Sequence, residues 1–268
     1  MTSELYREVN GSGEPILLIH GNGANTRIWG RSGDDLAATH RVIAYDRRGF
    51  GRSPGPPASS MREHVADAAA LLEELDAAPA TVLGWSGGGV VAAGLAIEHP
   101  ELVSSLILEE GGIHLPLNNT WRLLRSGTKI EFARRIGRDK RRAAQEVFDF
   151  ALAYRGGGSQ FERFPADWQQ SMLASAPAVV AETDHLRHPY PRRADLAAIS
   201  CPVTLLQGGL SEPTFAKVNR YLKRRMPTAE VVEIEGTAHA VHFDRPEEFR
   251  DAVVAAAARG ARSGAGAR

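Results

Sequence analysis

Ser86 stands in Gly84-Trp85-Ser86-Gly87-Gly88, between the apolar run Thr81-Val82-Leu83 and the helix-forming Val90 and Val91. The pattern predicts strand, tight turn and helix, a nucleophile elbow in which a strained turn lifts the serine oxygen clear of the sheet edge. Its glycines let neighbouring backbones pass without a Cβ clash. A hydroxyl is a poor nucleophile at neutral pH unless an imidazole accepts its proton during attack and returns it to the leaving group. Of nine histidines, two follow the last apolar run, near the expected carboxyl edge of the sheet: His239, on the small-residue loop Gly236-Thr237-Ala238-His239, and His242. His40, His64, His99, His114, His185 and His188 lie outside that position. His20 opens the loop His20-Gly21-Asn22-Gly23, directly after the apolar run Pro15-Ile16-Leu17-Leu18-Ile19. A glycine-flanked loop there can aim backbone N–H groups at an anion, so the N–H groups of Asn22 and Gly87 are the candidate oxyanion hole. The chemistry these residues could do is nucleophilic attack at a carbonyl carbon.

Such residues need a sheet edge to hold them, and the chain supplies one. Runs 15–20, 41–45 and 202–207 are mostly apolar without strict alternation, as strands buried on both faces are, which predicts an α/β protein with a mostly parallel sheet and helices on both faces. Leu5 to Val9 is expected as an edge strand, Ser105 to Glu109 and Ala229 to Ile234 as further strands. Ser60-x-x-Glu63 reads as a capping box opening a helix with Val65, Ala68, Leu72 and Leu75 on one face. The elbow helix should stop near His99-Pro100. Asp244 and Glu247 are expected to open a terminal helix with Pro246 in its first turn. Charges in Asp46-Arg47-Arg48-Gly49-Phe50-Gly51-Arg52-Ser53 are expected to brace a sharp loop.

A chain of 268 residues, 43% hydrophobic, suffices for one substantial core with an insertion. Lys+Arg and Asp+Glu balance at 32 each, which argues against a nucleic-acid or polybasic membrane contact and for a small-molecule substrate. Cys201 is the single cysteine, so no internal disulfide forms, and it reads as a small buried hydrophobe rather than a reactive thiol. Neither a leader pattern nor a bilayer-length apolar stretch is present, so the expected location is the cytoplasm.

The His20-Gly21 loop, the 46–53 motif, the elbow at Ser86 and Gly236-Thr237-Ala238-His239 occur in the order and approximate spacing of α/β-hydrolase fold proteins. The chain resembles that family over nearly its whole length outside the middle segment. The resemblance implies a core in two parts, 1–113 and 194–259, with a helical cap at 114–193; residues 260–268 are expected to be a disordered tail. It selects His239 over His242 as the base. It also exposes a departure. The family usually carries an aspartate in a Gly-x-x-Asp turn after the strand ending near Gln207, and here the turn reads Gly208-Gly209-Leu210-Ser211-Glu212-Pro213. Some members, haloalkane dehalogenases and zearalenone-lactone hydrolases among them, take a glutamate from the end of the strand after the elbow helix. Leu106-Ile107-Leu108-Glu109-Glu110 matches that place, with Glu110 at the family position and Glu109 facing the other way. Glu110 is therefore the expected acid and Glu212 the alternative.

The function so implied is a serine hydrolase of a carboxylic ester or lactone, probed best with apolar substrates, working with no cofactor and no metal. A ligand-binding protein without turnover, or a lyase or cyclase, is the alternative on the same fold. Serine in place of aspartate at the elbow argues against dehalogenase or epoxide-hydrolase chemistry, while thioester and carbon-carbon bond cleavage stay open. Within the cap, Phe132, Ile136, Val147, Phe148, Phe150, Leu152 and Tyr154 either line a pocket or pack helix against helix. Arg134, Arg135, Arg138 and Lys140-Arg141-Arg142 read as a solvated basic face, and Gly156-Gly157-Gly158-Ser159 either as a flexible break that lets the cap open or as a loop and nothing more.

Overall fold

The computed structural model describes residues 5–113, 139–182 and 190–265. His114, Phe132, Arg134, Arg135, Ile136, Arg138, His185 and His188 lie outside them. The strands are β1 (Arg7–Asn10), β2 (Pro15–Ile19), β3 (Arg41–Tyr45), β4 (Ala80–Trp85), β5 (Val103–Glu109), β6 (Val203–Gly208) and β7 (Glu230–Ile234). They form one sheet in the order β1-β3-β2-β4-β5-β6-β7. Only the edge pair β1–β3 is antiparallel; the remaining pairs are parallel.

Side-chain alternation divides the core between the two faces of the sheet. Leu17, Ile19, Val82, Leu106 and Leu108 point into one layer, met by Val65 and Leu72 of helix α2 (Met61–Glu74), Val91 and Leu95 of α3 (Gly87–Glu98), and Leu222 from a later helix. Ile16, Leu18, Leu83 and Ile107 point into the other, met by Leu36 of α1 (Gly30–Ala37) and by Phe249 and Val253 of the C-terminal helix. The helices between β5 and β6 join this second layer. Among the described residues they are α4 (Lys140–Ala151), α5 (Gln160–Arg163), α6 (Ala166–Ala174) and α7 (Ala176–Glu182), and Phe148, Leu152, Phe161 and Val179 are buried in the same cluster. Phe148 stacks on Phe161 with ring centroids 5.3 Å apart, so these aromatics pack helix on helix. Helices α8 (Pro213–Arg225), α9 (Val241–Asp244) and α10 (Pro246–Ala265) complete the described chain. No helix among the described residues is long and apolar enough to cross a membrane.

Three local expectations differ from the structure. Ser60 begins α2 without a side-chain cap; the Glu63 carboxylate instead accepts from Ser59 N at 3.0 Å and from the Ser59 hydroxyl, because the extended turn brings the earlier serine over the helix start. The expected break at 156–158 is a closed turn, tied by Tyr154 N to Gly158 O (3.1 Å) and Gly157 N to Tyr154 O (2.9 Å). The expected tail from 260 is helical through Ala265. Gly260 lies against the Ser104 carbonyl, 2.7 Å from where a Cβ would sit, and this packing onto the entrance of β5 carries the helix onward.

Candidate active site

Strand register brings the chemistry to one edge. Trp85 pairs with Glu109, Glu109 with Leu206, and Gly208 with Ile234, so β4 to β7 end side by side and the residues just beyond them meet. Ser86 follows β4 with φ 53° and ψ −119°, a conformation that costs a non-glycine residue of order 1–3 kcal/mol and persists only when its surroundings hold it. They do so with three hydrogen bonds: Ser86 N donates to Glu109 O at 3.0 Å, and Ser86 O accepts from Gly89 N at 2.9 Å and Gly112 N at 2.8 Å. A Cβ on Gly84 would collide with the Gly88 carbonyl, and one on Gly88 with that of Ile19. The elbow glycines thus allow α3, β4 and the end of β2 to touch.

Gly87 opens α3, whose first N–H groups lack intrahelical partners and point out of the helix. Asn22 N lies 3.3 Å from the position a Gly87 Cβ would take, which sets the two expected oxyanion donors side by side. The loop bearing Asn22 is anchored through His20. His20 Nε2 accepts from Arg47 N at 2.8 Å and His20 O accepts from Arg47 Nε at 3.0 Å. Burial, with the Arg47 charge adding to it, holds the His20 pKa well below 6.5, so the ring is neutral and its Nδ1 faces Gly21 O at 2.8 Å. The Arg47 guanidinium then forks onto Glu182 at the end of α7 (2.5 and 3.3 Å), and His64 Nε2 meets the same carboxylate at 2.8 Å. Burial alone would raise the Glu182 carboxyl, but the Arg47 charge and the His64 hydrogen bond outweigh it and hold it well below the usual carboxylate range. The charges of the 46–53 loop do brace it: Asp46 accepts from Thr26 N and Arg52 N, both at 2.7 Å, and Arg48 pairs with Asp67 at 2.6 Å.

His239 and Glu110 meet directly. Nδ1 of His239 is 3.0 Å from Glu110 Oε2, while Glu110 Oε1 accepts from Gly208 N at 2.9 Å. Both side chains are buried. Glu110 has φ 47°, and that kink at the end of β5 turns its carboxylate toward β6 and β7. In the tautomer that donates from Nδ1 to the Glu110 oxygen, Nε2 is left as an acceptor; Nε2 finds no hydrogen-bond partner among the described residues. The His239 carbonyl accepts from Trp85 Nε1 at 2.7 Å, tying the histidine loop to the residue before Ser86. Phe215 of α8 stacks on the imidazole at 4.1 Å. Glu212 is the buried N-cap residue of α8; the carboxylate on His239 is that of Glu110.

Glu109, on the opposite face of β5, forms a second pair that the sequence reading did not anticipate. It accepts from His242 N at 3.1 Å and lies 2.8 Å from His242 Nδ1, among Trp29, Trp85 and Phe249. The i, i+1 glutamates and i, i+3 histidines were the available signal: adjacent residues leaving a strand face opposite ways, so each needs its own partner. Glu182 and Phe215 had no such signal, because their partners stand far away in the chain. Cys201 is partly buried and burial pushes its thiol up to about 11, which makes it a poor nucleophile.

A parallel sheet whose strand ends gather an elbow serine, a histidine bonded to a carboxylate and a loop of paired N–H groups defines an α/β hydrolase. The model of the alpha/beta hydrolase family matches residues 16–252, and the chain belongs to that family. Among curated relatives, it is 29% identical to a pimeloyl-acyl-carrier-protein methyl ester esterase of Vibrio cholerae over 97% of this chain and 100% of that one. It is 30% identical to the enzyme of that name from Photobacterium profundum, over 93% and 96%. Among solved structures, a thermophilic esterase from Thermogutta terrifontis superposes with a TM-score of 0.75 at 25% identity, covering 93% of this chain and 91% of that one.

Proposed function

We propose that this chain is a serine hydrolase that cleaves a carboxylic ester through an acyl-enzyme. The observation that carries the reading is the His239–Glu110 bond, with Nε2 left as an unpartnered acceptor on a loop tied through its carbonyl to Trp85, the residue before Ser86. His239 Nε2 takes the Ser86 proton as Oγ attacks the carbonyl carbon, and the N–H groups of Asn22 and Gly87 receive the oxyanion. Glu110 orients the imidazole and stabilises the imidazolium. The proton passes to the departing alcohol, leaving Ser86 acylated. Water then attacks the acyl carbon, giving its proton to His239, which returns it to Ser86 as the acid leaves. No cofactor or metal enters this scheme.

The helices of 139–182 belong, in this reading, to a cap spanning 114–193 on a core of 1–113 and 194–259. Phe148 and Val179 sit over Gly23, an apolar roof that favours an apolar substrate beside the oxyanion loop. Methyl esters are the first substrates to assay, since that ester is named for the two sequence relatives; a lactone is the same bond closed in a ring. A single cysteine suits a reducing cytoplasm. The test is hydrolysis of methyl and p-nitrophenyl esters by the wild type and Ser86→Ala, with fluorophosphonate labelling of both. Loss of at least about 10⁴-fold in turnover, together with loss of labelling, is expected for Ser86→Ala. Turnover or labelling that survives the substitution would overturn the assignment.

A further inference from the structure

A general base works only while its ring stays within reach of two oxygens, and a misplacement near 1 Å costs on the order of 10² in rate. The Glu110 bond orients the His239 ring, and Trp85 holds the His239 carbonyl. The peptide groups on either side are held from elsewhere. Gln160, at the start of α5, is fully buried. Its Oε1 accepts from Ala240 N at 2.9 Å and its Nε2 donates to Ala240 O at 3.0 Å, pairing with both backbone groups of that residue as a neighbouring strand would. The second Nε2 hydrogen goes to Asp244 Oδ2 at 2.6 Å, and the same oxygen accepts from Ala238 N at 3.1 Å. The backbone before and after His239 is therefore closed by one linked pair of side chains. Asp244 is anchored in turn by Tyr154 Oη and Arg163 Nη1, each 2.6 Å from Oδ1. Apart from Asp244, every side chain in this clamp comes from the segment between β5 and β6.

We propose that Gln160 is a positioning residue for proton transfer: the cap, through this one amide, sets where His239 stands. The inference rests on the hydrolytic reading above. One donor and the carbonyl oxygen of a buried amide are spent on Ala240, the other donor on the carboxylate that holds Ala238 N, and none is aimed at a substrate. Its loss should therefore act on kcat and leave binding alone.

The test compares Gln160→Met, which keeps length and removes the amide, with wild type and with Gln169→Met, which removes a cap amide bonded to the Phe164 carbonyl. The readouts are kcat and KM on p-nitrophenyl acetate per fluorophosphonate-titrated site, and amide hydrogen exchange of peptide 236–242. Gln160→Met should lower kcat about 10- to 100-fold with KM within threefold, and speed exchange in that peptide; Gln169→Met should do neither. A kcat per site within twofold of wild type, or a loss that appears in KM alone, overturns the inference. Should Gln160→Met not accumulate as folded protein, Tyr154→Phe loosens the same clamp from its rim; a severalfold lower kcat is expected, and an unchanged one is fatal to the idea. Absence of Ser86-dependent turnover in the wild type would remove the hydrolytic reading instead, and exchange at 236–242 would still report whether Gln160 holds the loop.

Discussion

Replacing Glu110 by Gln preserves the shape of its side chain and removes the charge facing His239. The carboxylate and imidazole are 3.0 Å apart, and both side chains are buried. At an effective dielectric of about 20, a charge pair at that distance is worth about 5 kcal/mol. The pair exists only while His239 carries the serine proton, so the whole loss falls on the transition state; at about 1.4 kcal/mol per tenfold this is roughly 10⁴ in kcat. Hydrogen bonding acts in the same direction. Gly208 N needs an acceptor, so the amide oxygen turns toward it and the NH₂ faces Nδ1, which pushes the imidazole into the wrong tautomer. The assay is kcat per titrated site on p-nitrophenyl acetate, with Glu109→Gln and Glu212→Gln in parallel. Glu109→Gln weakens the hydrogen bonds to His242 behind the site, so it should lower stability by about 1–3 kcal/mol while turnover per folded site stays within a few-fold. Retention of more than about a tenth of kcat in Glu110→Gln, or a collapse in Glu212→Gln instead, would refute the assignment of the acid.

Two further outcomes follow from the groups around the site. His20 and Glu182 both have folded-state pKa values below their unfolded ones, so between those values the unfolded chain binds more protons and stability falls as pH falls. The His20 contribution is complete above about pH 6.5 and is lost below it; that of Glu182 is complete above about pH 4.3 and is lost as pH drops further. Tm measured from pH 8 to pH 3.5 should therefore decline in two stages, and Glu182→Gln should lower Tm at pH 7 and flatten the lower stage; an unchanged acid limb would contradict the network. Phe215→Leu removes the ring stacked on His239 at 4.1 Å, where an imidazolium gains cation–π stabilisation, so kcat should fall about fivefold with KM unchanged; equal kcat in steady-state assays would show that the stack serves packing alone.

What could be read from the residues was local. Gly84-x-Ser86-x-Gly88 marked the elbow because two close backbone approaches demand glycine at 84 and 88 and the chemistry demands the serine between them, and the apolar runs at 15–19 and 203–206 marked strands covered on both faces. Alternation along β5 was enough to separate Glu110 from Glu109, since Ile107 and Glu109 share one face and Leu106 and Leu108 the other. The terminal helix was legible as far as its capping signals reached, and misjudged at Gly260, where the deciding contact is with Ser104 on another element. The links that hold the site together had no local trace. Arg47 and Glu182 are 135 residues apart and Gln160 and Ala240 are 80 apart, and nothing about a lone glutamine or glutamate in a helical segment distinguishes it from a surface residue.

The most informative departure was Ser211. Where an aspartate was expected, the turn after β6 carries a buried hydroxyl whose oxygen finds no partner among the described residues. That same turn begins with Gly208, whose N–H is the donor that holds Glu110 Oε1. The strand end that would have presented a carboxylate instead receives one from its neighbour, and Ser211 Oγ comes within 2.8 Å of where a Cβ on Gly208 would sit. A carboxylate at 211 would add an acid close to Gly208, whose N–H already serves Glu110, and like charges brought close disfavour one another's ionised form. With a serine at 211, the carboxylate that meets His239 comes from the end of β5, at Glu110, and its second oxygen is held by the first backbone N–H of the turn after β6.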